Sequence, residues 1–267
     1  MKLTIITINY NNAVGLQNTM ASVVNQTYRE FEYIVIDGNS TDGSKDIILK
    51  NEKKLTHWIS EPDLGIYNAM NKGILHARGE YLLFLNSGDF LENLNTIENI
   101  IYDLKSSDIV YGNMIIDRKG VLEYAKTPEH LCFEEMIRGT LWHPVSFIKK
   151  ELFSKFGLYN ENNKIISDYE FFLKIIFIDR ATTLHIDKFI SVFNTEGIGS
   201  TDKYKVIHDK EKHDAQLRFF HPEVIKSAKR HAELKRSKVQ IIYNFIKSKP
   251  LLYSSAKGIY SLVKRFF

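Results

Sequence analysis

One stretch constrains this chain more than any other. Tyr81-Leu82-Leu83-Phe84-Leu85 runs apolar without a break and then stops at Asn86-Ser87-Gly88-Asp89. A run with no polar alternation fits a strand covered on both faces, as in a parallel sheet. In open α/β sheets, ligands bind beyond the carboxyl ends of the strands. A carboxylate at that edge, beside a glycine that lets a ligand approach the backbone, is suited to a divalent cation and a diphosphate. Magnesium takes one or two protein carboxylates and fills its shell with water and phosphate oxygens. On this stretch alone a plainer alternative stands beside that one: a polar turn in which Asp89 caps the next helix.

The preceding sequence repeats the same design. Leu3–Asn9 reads as a strand and ends in Asn9-Tyr10-Asn11-Asn12; Leu16, Met20, Val23 and Val24 then recur at helical spacing. A second apolar strand over 33–37 runs into the turn-rich loop 38–44, and a short helix follows. A strand over 55–60 and a helix over 66–76 lead to the opening stretch. This βαβαβαβ order predicts a doubly wound, mainly parallel sheet with helices on both faces. Beyond Asp89 the spacing predicts a helix on Ile97, Ile100, Ile101 and Leu104. Strands follow over 108–113 and 121–125 around a turn at 117–120. Helices are expected over 131–138 and 168–178, a short one ends near Gly157, and 184–193 reads as a strand. From about Lys203 the pattern is helical, with Pro222 and Pro250 as punctuation.

Charge divides the chain. Residues 203–267 hold 16 of the 36 lysines and arginines but only 5 of the 32 acidic residues, so the remainder is net acidic. The expected division is therefore a catalytic body over 1–202 and a basic, helical region over 203–267. The single cysteine, Cys132, excludes an intramolecular disulfide and suits a reducing compartment. No apolar stretch reaches the roughly 18 residues of a spanning helix. The opening residues already read as a strand rather than as a signal peptide. A cytoplasmic location is the expectation.

Asn9, Asp37, Asp63 and Asp89 all fall in loops at one sheet edge. A single strand-end aspartate is more often a helix cap than a ligand contact. Several at one edge reverse that balance. Neither G-x-G-x-x-G nor G-x-x-x-x-G-K-[ST] occurs, which weakens dinucleotide and P-loop chemistry.

Three segments occur in order: Ile34-Val35-Ile36-Asp37-Gly38-Asn39-Ser40-Thr41-Asp42-Gly43-Ser44, Ser60-Glu61-Pro62-Asp63-Leu64-Gly65-Ile66-Tyr67-Asn68-Ala69-Met70-Asn71-Lys72-Gly73, and Leu85-Asn86-Ser87-Gly88-Asp89. Together they resemble the family 2 glycosyltransferases with the GT-A fold, over about residues 1–200. The resemblance implies inverting transfer from a nucleotide-sugar, usually UDP-linked, with Mn2+ or Mg2+. It implies a nucleoside pocket lined by Thr7, Asn9 and Tyr10, with Asp37 on the uracil. Asp63 and Lys72 would lie near the nucleotide and its phosphates, and Asn86 and Ser87 at the donor. Asp89 looks like the last aspartate of the family's D-x-D-type metal motif. Asn86 and Gly88 stand where acidic residues are common, so one direct carboxylate would serve the metal.

Ile166-Ser167-Asp168-Tyr169-Glu170 resembles the family's acidic segment at a helix start, with Ser167 replacing its first acid. The resemblance makes Asp168 the base for the acceptor hydroxyl and puts Glu170 on the acceptor side. A helix N-terminus keeps such a carboxylate ionised, which suits a resting base; a simple helix cap is the alternative. His143, after Trp142, resembles the family's acceptor-side histidine and equally fits a structural turn. Gly197-Ile198-Gly199-Ser200 looks like the mobile loop over the donor, with Lys203 or Lys205 within reach of the diphosphate. Basic residues interleaved with aromatics after Lys226 suit an anionic membrane surface, and hence a glycan or lipid-linked sugar acceptor in surface-polysaccharide synthesis. Packing against the body or a second subunit is the alternative, so a homo-oligomer stays open. No nucleic-acid-binding module appears. A nucleotidyltransferase and a non-catalytic membrane-surface scaffold remain the rival functions. The expected geometry is specific: Asp37, Asp89 and Asp168 should meet at one solvent-facing rim.

Overall fold

The computed structural model describes residues 1–195 and 204–236, with Ile242, Phe245 and Ser248 beyond them. The chain opens with β1 (Leu3–Asn9), α1 (Ala13–Val24), β2 (Glu32–Asp37), α2 (Ser44–Asn51), β3 (His57–Ser60), α3 (Ile66–His76) and β4 (Tyr81–Phe84). It continues through β5 (Phe90–Leu91), α4 (Thr96–Ile100), β6 (Ile109–Arg118), β7 (Val121–Ala125) and α5 (Phe133–Arg138). Then come β8 (Ser146–Lys149), α6 (Lys150–Phe156), α7 (Ser167–Phe177), β9 (Thr183–Asn194), α8 (Lys205–Phe219) and α9 (Pro222–Arg236).

The strands form one mixed sheet in the order β3-β2-β1-β4-β8-β6-β9-β5, with β7 paired to β6. The block β3-β2-β1-β4 is wholly parallel. It is covered on both faces, as its unbroken apolar runs require. Leu3 and Ile5 join Leu16, Met20 and Val23 of α1 and Ile48 of α2 in one buried cluster. Ile6, on the opposite face, meets α3 at Gly73, where an added Cβ would lie 2.5 Å from its side chain. The chain moves outward from β1 to β2 and β3, then returns to lay β4 on the other flank of β1. The carboxyl ends of β1 and β4 therefore bound the switch point where such sheets bind ligands.

Two strands escape the sequence pattern. β5 is only two residues long. β8 is antiparallel to both β4 and β6, so it alone joins the parallel block to the second half of the sheet. Its four residues follow Trp142-His143-Pro144, which reads as a turn. β6 runs on to Arg118, five residues past the expected end, because β7 and β9 both pair with its distal part.

Two compact units emerge. The first holds residues 1–131 and 140–219; the second holds 132–139 and the chain from Phe220. The division expected at residue 202 thus differs by two helices: α5 goes with the second unit and α8 with the first, where Gln216 Nε2 donates to the Tyr169 hydroxyl at 2.8 Å. Within the second unit α5 meets α9. Phe133 packs edge-on against Phe220 at 4.7 Å, and His231 pairs with Glu134 at 2.7 Å.

Candidate active site

The ends of β1, β2 and β3 are level, Asn9 opposite Asp37 and Asp37 opposite Ser60. Asp37 is fully buried. Its Oδ1 accepts from Asn9 Nδ2 (2.7 Å) and Ser40 Oγ (2.6 Å). Its Oδ2 accepts from the Ser40 amide (3.0 Å) and Ser60 Oγ (2.7 Å). Those four donors fill a carboxylate's acceptor sites. The expectation of a solvent-facing Asp37 therefore does not hold: the carboxylate is an internal tie between three strand ends. Thr7 is also buried, its hydroxyl 3.1 Å from that of Tyr33. It belongs to the core rather than to a pocket wall, because it lies two residues below the strand end.

Tyr10 and Asp63 both approach Gly38: a Cβ placed there would lie 2.5 Å from Asp63 Oδ2 and 3.0 Å from Tyr10. Tyr10 is 67% exposed, a free aromatic face beside an acid. Lys72 turns to Glu61 (2.7 Å) and to the Pro62 carbonyl (3.0 Å), and so braces the loop that carries Asp63.

At the switch point Asn12 Nδ2 donates to the Ser87 carbonyl at 3.0 Å, and the Ser87 amide donates to Ile8. Gly88 sits at φ +107°, a conformation glycine adopts without steric cost. Thr19 of α1 holds the turn from below, accepting from the Gly88 amide (2.9 Å) and donating to the Asp89 carbonyl (2.6 Å). Asn86 Oδ1 and Asn9 Oδ1 are buried without a partner at the ends of neighbouring strands. Buried acceptors are normally satisfied, so these two stand out at this edge of the sheet.

Asp89 is 4% exposed, so the expected solvent-facing position fails for it as it does for Asp37. Burial pushes its carboxyl up to about 7, opposed only in part by His143 and by the Asn194 amide that donates to it at 3.1 Å. Among the described residues no cluster of three metal-ligating side chains exists. A lone carboxylate with one donor still fits a hard cation that brings its own water and phosphate oxygens.

The opposite wall comes from sequence about 60 to 80 residues away. β8 runs antiparallel to β4, with Phe147 opposite Leu83. The turn before β8 therefore falls beside the end of β4. There His143 Nε2 lies 3.2 Å from Asn86 Nδ2, and Nδ1 lies 3.0 Å from Asp168 Oδ2. Asp168 stands in the first turn of α7, its side chain 14% exposed. Its Oδ1 accepts from the Tyr67 hydroxyl at 2.9 Å. Burial pushes its pKa up, but the bonds and charge from His143 and the bond from Tyr67 outweigh this and hold it below the usual carboxylate range. Asp168 and Asn86 thus lie on either side of one imidazole.

Glu170 does not join them. Asn160, Asn163 and Arg218 take up its carboxylate, because two residues along α7 from Asp168 carry it to the other side of the helix, toward the 160–163 loop. Gly197 to Ser200 and Lys203 lie outside the described residues; Lys205 is exposed at the start of α8. Tyr67, Asn12 and Thr19 went unnoticed in the sequence. Tyr67 lies inside the segment that carries Asp63, and it reads there as an ordinary helix-face aromatic.

Known proteins match this arrangement. The profile described as Glycosyl transferase family 2 covers residues 4–165. The chain belongs to that family, and it is a glycosyltransferase with the GT-A fold. An uncharacterized glycosyltransferase of Mycobacterium tuberculosis is 33% identical over 203 residues, 74% of this chain and 77% of that one. A "PGL/p-HBAD biosynthesis glycosyltransferase" of Mycobacterium bovis is 29% identical over 73% of this chain and 77% of its own length. Among solved structures, S. aureus TarS 1-349 in complex with UDP-GlcNAc aligns with a TM-score of 0.65 at 19% identity, covering 85% of this chain and 70% of that one. The TarS 1-349 complex with UDP aligns with a TM-score of 0.58 at 21% identity, over 73% of this chain and 60% of that one. The mannosyltransferase PcManGT of Pyrobaculum calidifontis, with GDP-Man and Mn2+, aligns at 0.57 and 14% identity over 97% and 87%.

Proposed function

We propose that this glycosyltransferase moves a sugar from a UDP-sugar to a hydroxyl of a glycan or lipid-linked acceptor, with inversion, in surface-glycan synthesis. The observation that carries the reading is His143, which holds Asp168 at 3.0 Å on one ring nitrogen and meets Asn86, three residues before Asp89, at 3.2 Å on the other. Asp168 is the base: it stays anionic, and as the acceptor oxygen bonds to the anomeric carbon it takes that hydroxyl's proton. The bond from the anomeric carbon to the diphosphate breaks on the opposite side, and the nucleoside diphosphate leaves with the electron pair. A single displacement of this kind inverts the anomeric centre. Asp89 is the residue that would hold Mg2+ or Mn2+, whose charge would neutralise the departing diphosphate.

Tyr10 and Asp63 are assigned to the nucleoside, one as a stacking face and the other as an acceptor. The unpaired oxygens of Asn9 and Asn86 are assigned to the donor edge. The choice of UDP follows the TarS complexes, and the surface-glycan acceptor follows the M. bovis relative. Exposed Lys226, Lys229 and Arg230 on α9 support electrostatic attraction to an anionic membrane. The apolar side of that helix, Ile225, Ala228 and Ala232, is already buried. No helix among the described residues is long and apolar enough to cross a membrane.

The test is a panel of UDP- and GDP-sugars with Mn2+, scored by nucleoside diphosphate release with lipid-extract acceptors. Release from a UDP-sugar, with an inverted anomer in the product by NMR, is the expected result. Pyrophosphate release would instead make the protein a nucleotidyltransferase, and silence across the panel would favour the scaffold.

A further inference from the structure

His143 has more to do than line an acceptor pocket. Its ring is 17% exposed, and both nitrogens face protein atoms: Nδ1 meets Asp168 Oδ2 at 3.0 Å, and Nε2 meets Asn86 Nδ2 at 3.2 Å. An amide N–H can only donate, so a neutral ring bonded to both partners must carry its proton on Nδ1 and leave Nε2 bare. The backbone around it is stiff. Pro144 follows directly, the residues His143–Val145 form a 3-10 turn, and Ser146 Oγ donates to the Trp142 carbonyl at 2.7 Å. The turn is anchored in turn by β8, hydrogen-bonded to β4 on one side and β6 on the other. Asp168 has no such anchor of its own. It sits in the first turn of α7, where, among the described residues, the other groups gripping its carboxylate are the Tyr67 hydroxyl and the Tyr169 amide.

We infer that His143 is a positioning residue: through Nδ1 it fixes the orientation of the Asp168 carboxylate, and through Nε2 it locks that carboxylate in register with the Asn86 loop. This rests on the reading of Asp168 as the base. It goes further by assigning the alignment of base and donor edge to one imidazole on a strand that links them. The juxtaposition also gives β8 a purpose. A strand of four residues placed between β4 and β6 brings a side chain from mid-chain to the point where the two walls meet. Misplacing a reacting group by about 1 Å can cost on the order of 100-fold in rate, so an alignment device of this kind has a large effect to protect.

The inference is tested in two arms. The first needs no substrate. Long-range proton–nitrogen NMR of the full-length protein, labelled on histidine nitrogens and recorded at about pH 8, reads the tautomer directly; the signal is assigned by its loss in His143→Asn. The expected state is Nδ1–H with a bare Nε2, and Asp168→Ala should shift it. An Nε2–H tautomer, or a signal indifferent to Asp168→Ala, overturns the inference. The second arm measures kcat and donor KM with whichever nucleotide-sugar the panel identifies. An asparagine amide reaches the position of Nδ1, whereas a glutamine amide reaches that of Nε2. His143→Ala and His143→Gln should both lose kcat by about 100-fold, His143→Asn should recover most of it, and KM should stay within about twofold. Better rescue by glutamine than by asparagine, or a loss confined to KM, overturns the inference. A wild-type protein that turns over no donor would sink the functional reading instead, and the NMR arm would still decide the role of His143.

Discussion

The loop after β4 and the first turn of α7 each bury an aspartate near His143, and the two carboxyl groups lean opposite ways. Among the described residues Asp89 receives one backbone donor and no side-chain hydrogen bond, so burial wins and its pKa rises to about 7. Asp168 is enclosed as well, but an imidazole and a phenol both grip it, and its pKa falls. Desolvation is common to both; the number of donors decides the sign. The contrast separates two kinds of chemistry. A carboxyl near half protonation at neutral pH gains most from a cation, which would displace its proton. A carboxylate held by two donors keeps its charge through the physiological range and can take a proton only as the acceptor hydroxyl reacts.

The largest effect should come from breaking the low side of the pair. Asp168→Asn keeps the shape and removes the base. Transfer should fall by about 100- to 10,000-fold, while donor binding, read by thermal shift, stays as it was. Transfer within tenfold of wild type would mean that the two aspartates do not divide the work as argued. Next comes Asp89→Asn. Nucleotide affinity in Mn2+ should drop to the level measured in EDTA. Equal affinities with and without Mn2+ in the wild type would remove the metal from Asp89.

The same pair predicts a stability profile with two separate windows. Folded Asp89 keeps its proton up to about 7, whereas an unfolded aspartate releases it near 3.9. Between those values the folded state binds the extra proton, so stability should fall as pH rises from about 4 to 7. Asp168 does the reverse. Its pKa is depressed on folding, so its contribution is present above about 4 and is lost only as pH falls through the folded value. Melting temperatures in EDTA should show the downward slope between about pH 4 and 7 in the wild type and not in Asp89→Asn; Mn2+ should flatten it. A slope of the opposite sign would contradict the burial argument.

How much of this was legible beforehand follows the same divide. The loop after β4 could be read because it obeys a local rule: an apolar run, then polar residues, at the carboxyl end of a parallel strand. β1 to β4, and the placing of Asn9 and Asp37 level at the ends of neighbouring strands, were recoverable on that basis. Asp37 was misjudged because burial depends on its partners: Ser40 and Ser60 look like loop residues until they turn inward. The second wall could not be built from sequence. Its geometry depends on β8, four residues with no periodic signal, and on a phenol at position 67 that reaches a carboxylate at 168. Asp168 was found through resemblance alone. Its partners were not, since nothing along the chain announces a contact across about a hundred residues.

Smaller effects probe how firmly the second wall is held. Tyr67→Phe removes one of the two side-chain donors to Asp168. A hydrogen bond to a charged group contributes about 1.5–3 kcal/mol, so kcat should fall by about 10- to 100-fold, and the pKa of Asp168 should move back toward its ordinary value. An unchanged rate would mean that His143 alone suffices. The smallest effect should come from α8. Glu211 accepts from the amides of Lys164 (2.8 Å) and Ile165 (3.0 Å). The Ile165 carbonyl lies 2.6 Å from the Tyr67 hydroxyl, whose single hydrogen it shares with Asp168. The backbone before α7 is therefore pinned from both sides, and Glu211 is the more remote pin. Glu211→Ala should cost about 1 kcal/mol of stability, as the loss of a helix cap does. It should also speed hydrogen exchange at the 164 and 165 amides and leave kcat within about twofold of wild type. A kcat loss as large as that of Tyr67→Phe would extend the machinery that orients Asp168 to α8, and so to a helix that the charge pattern alone had assigned to the basic tail.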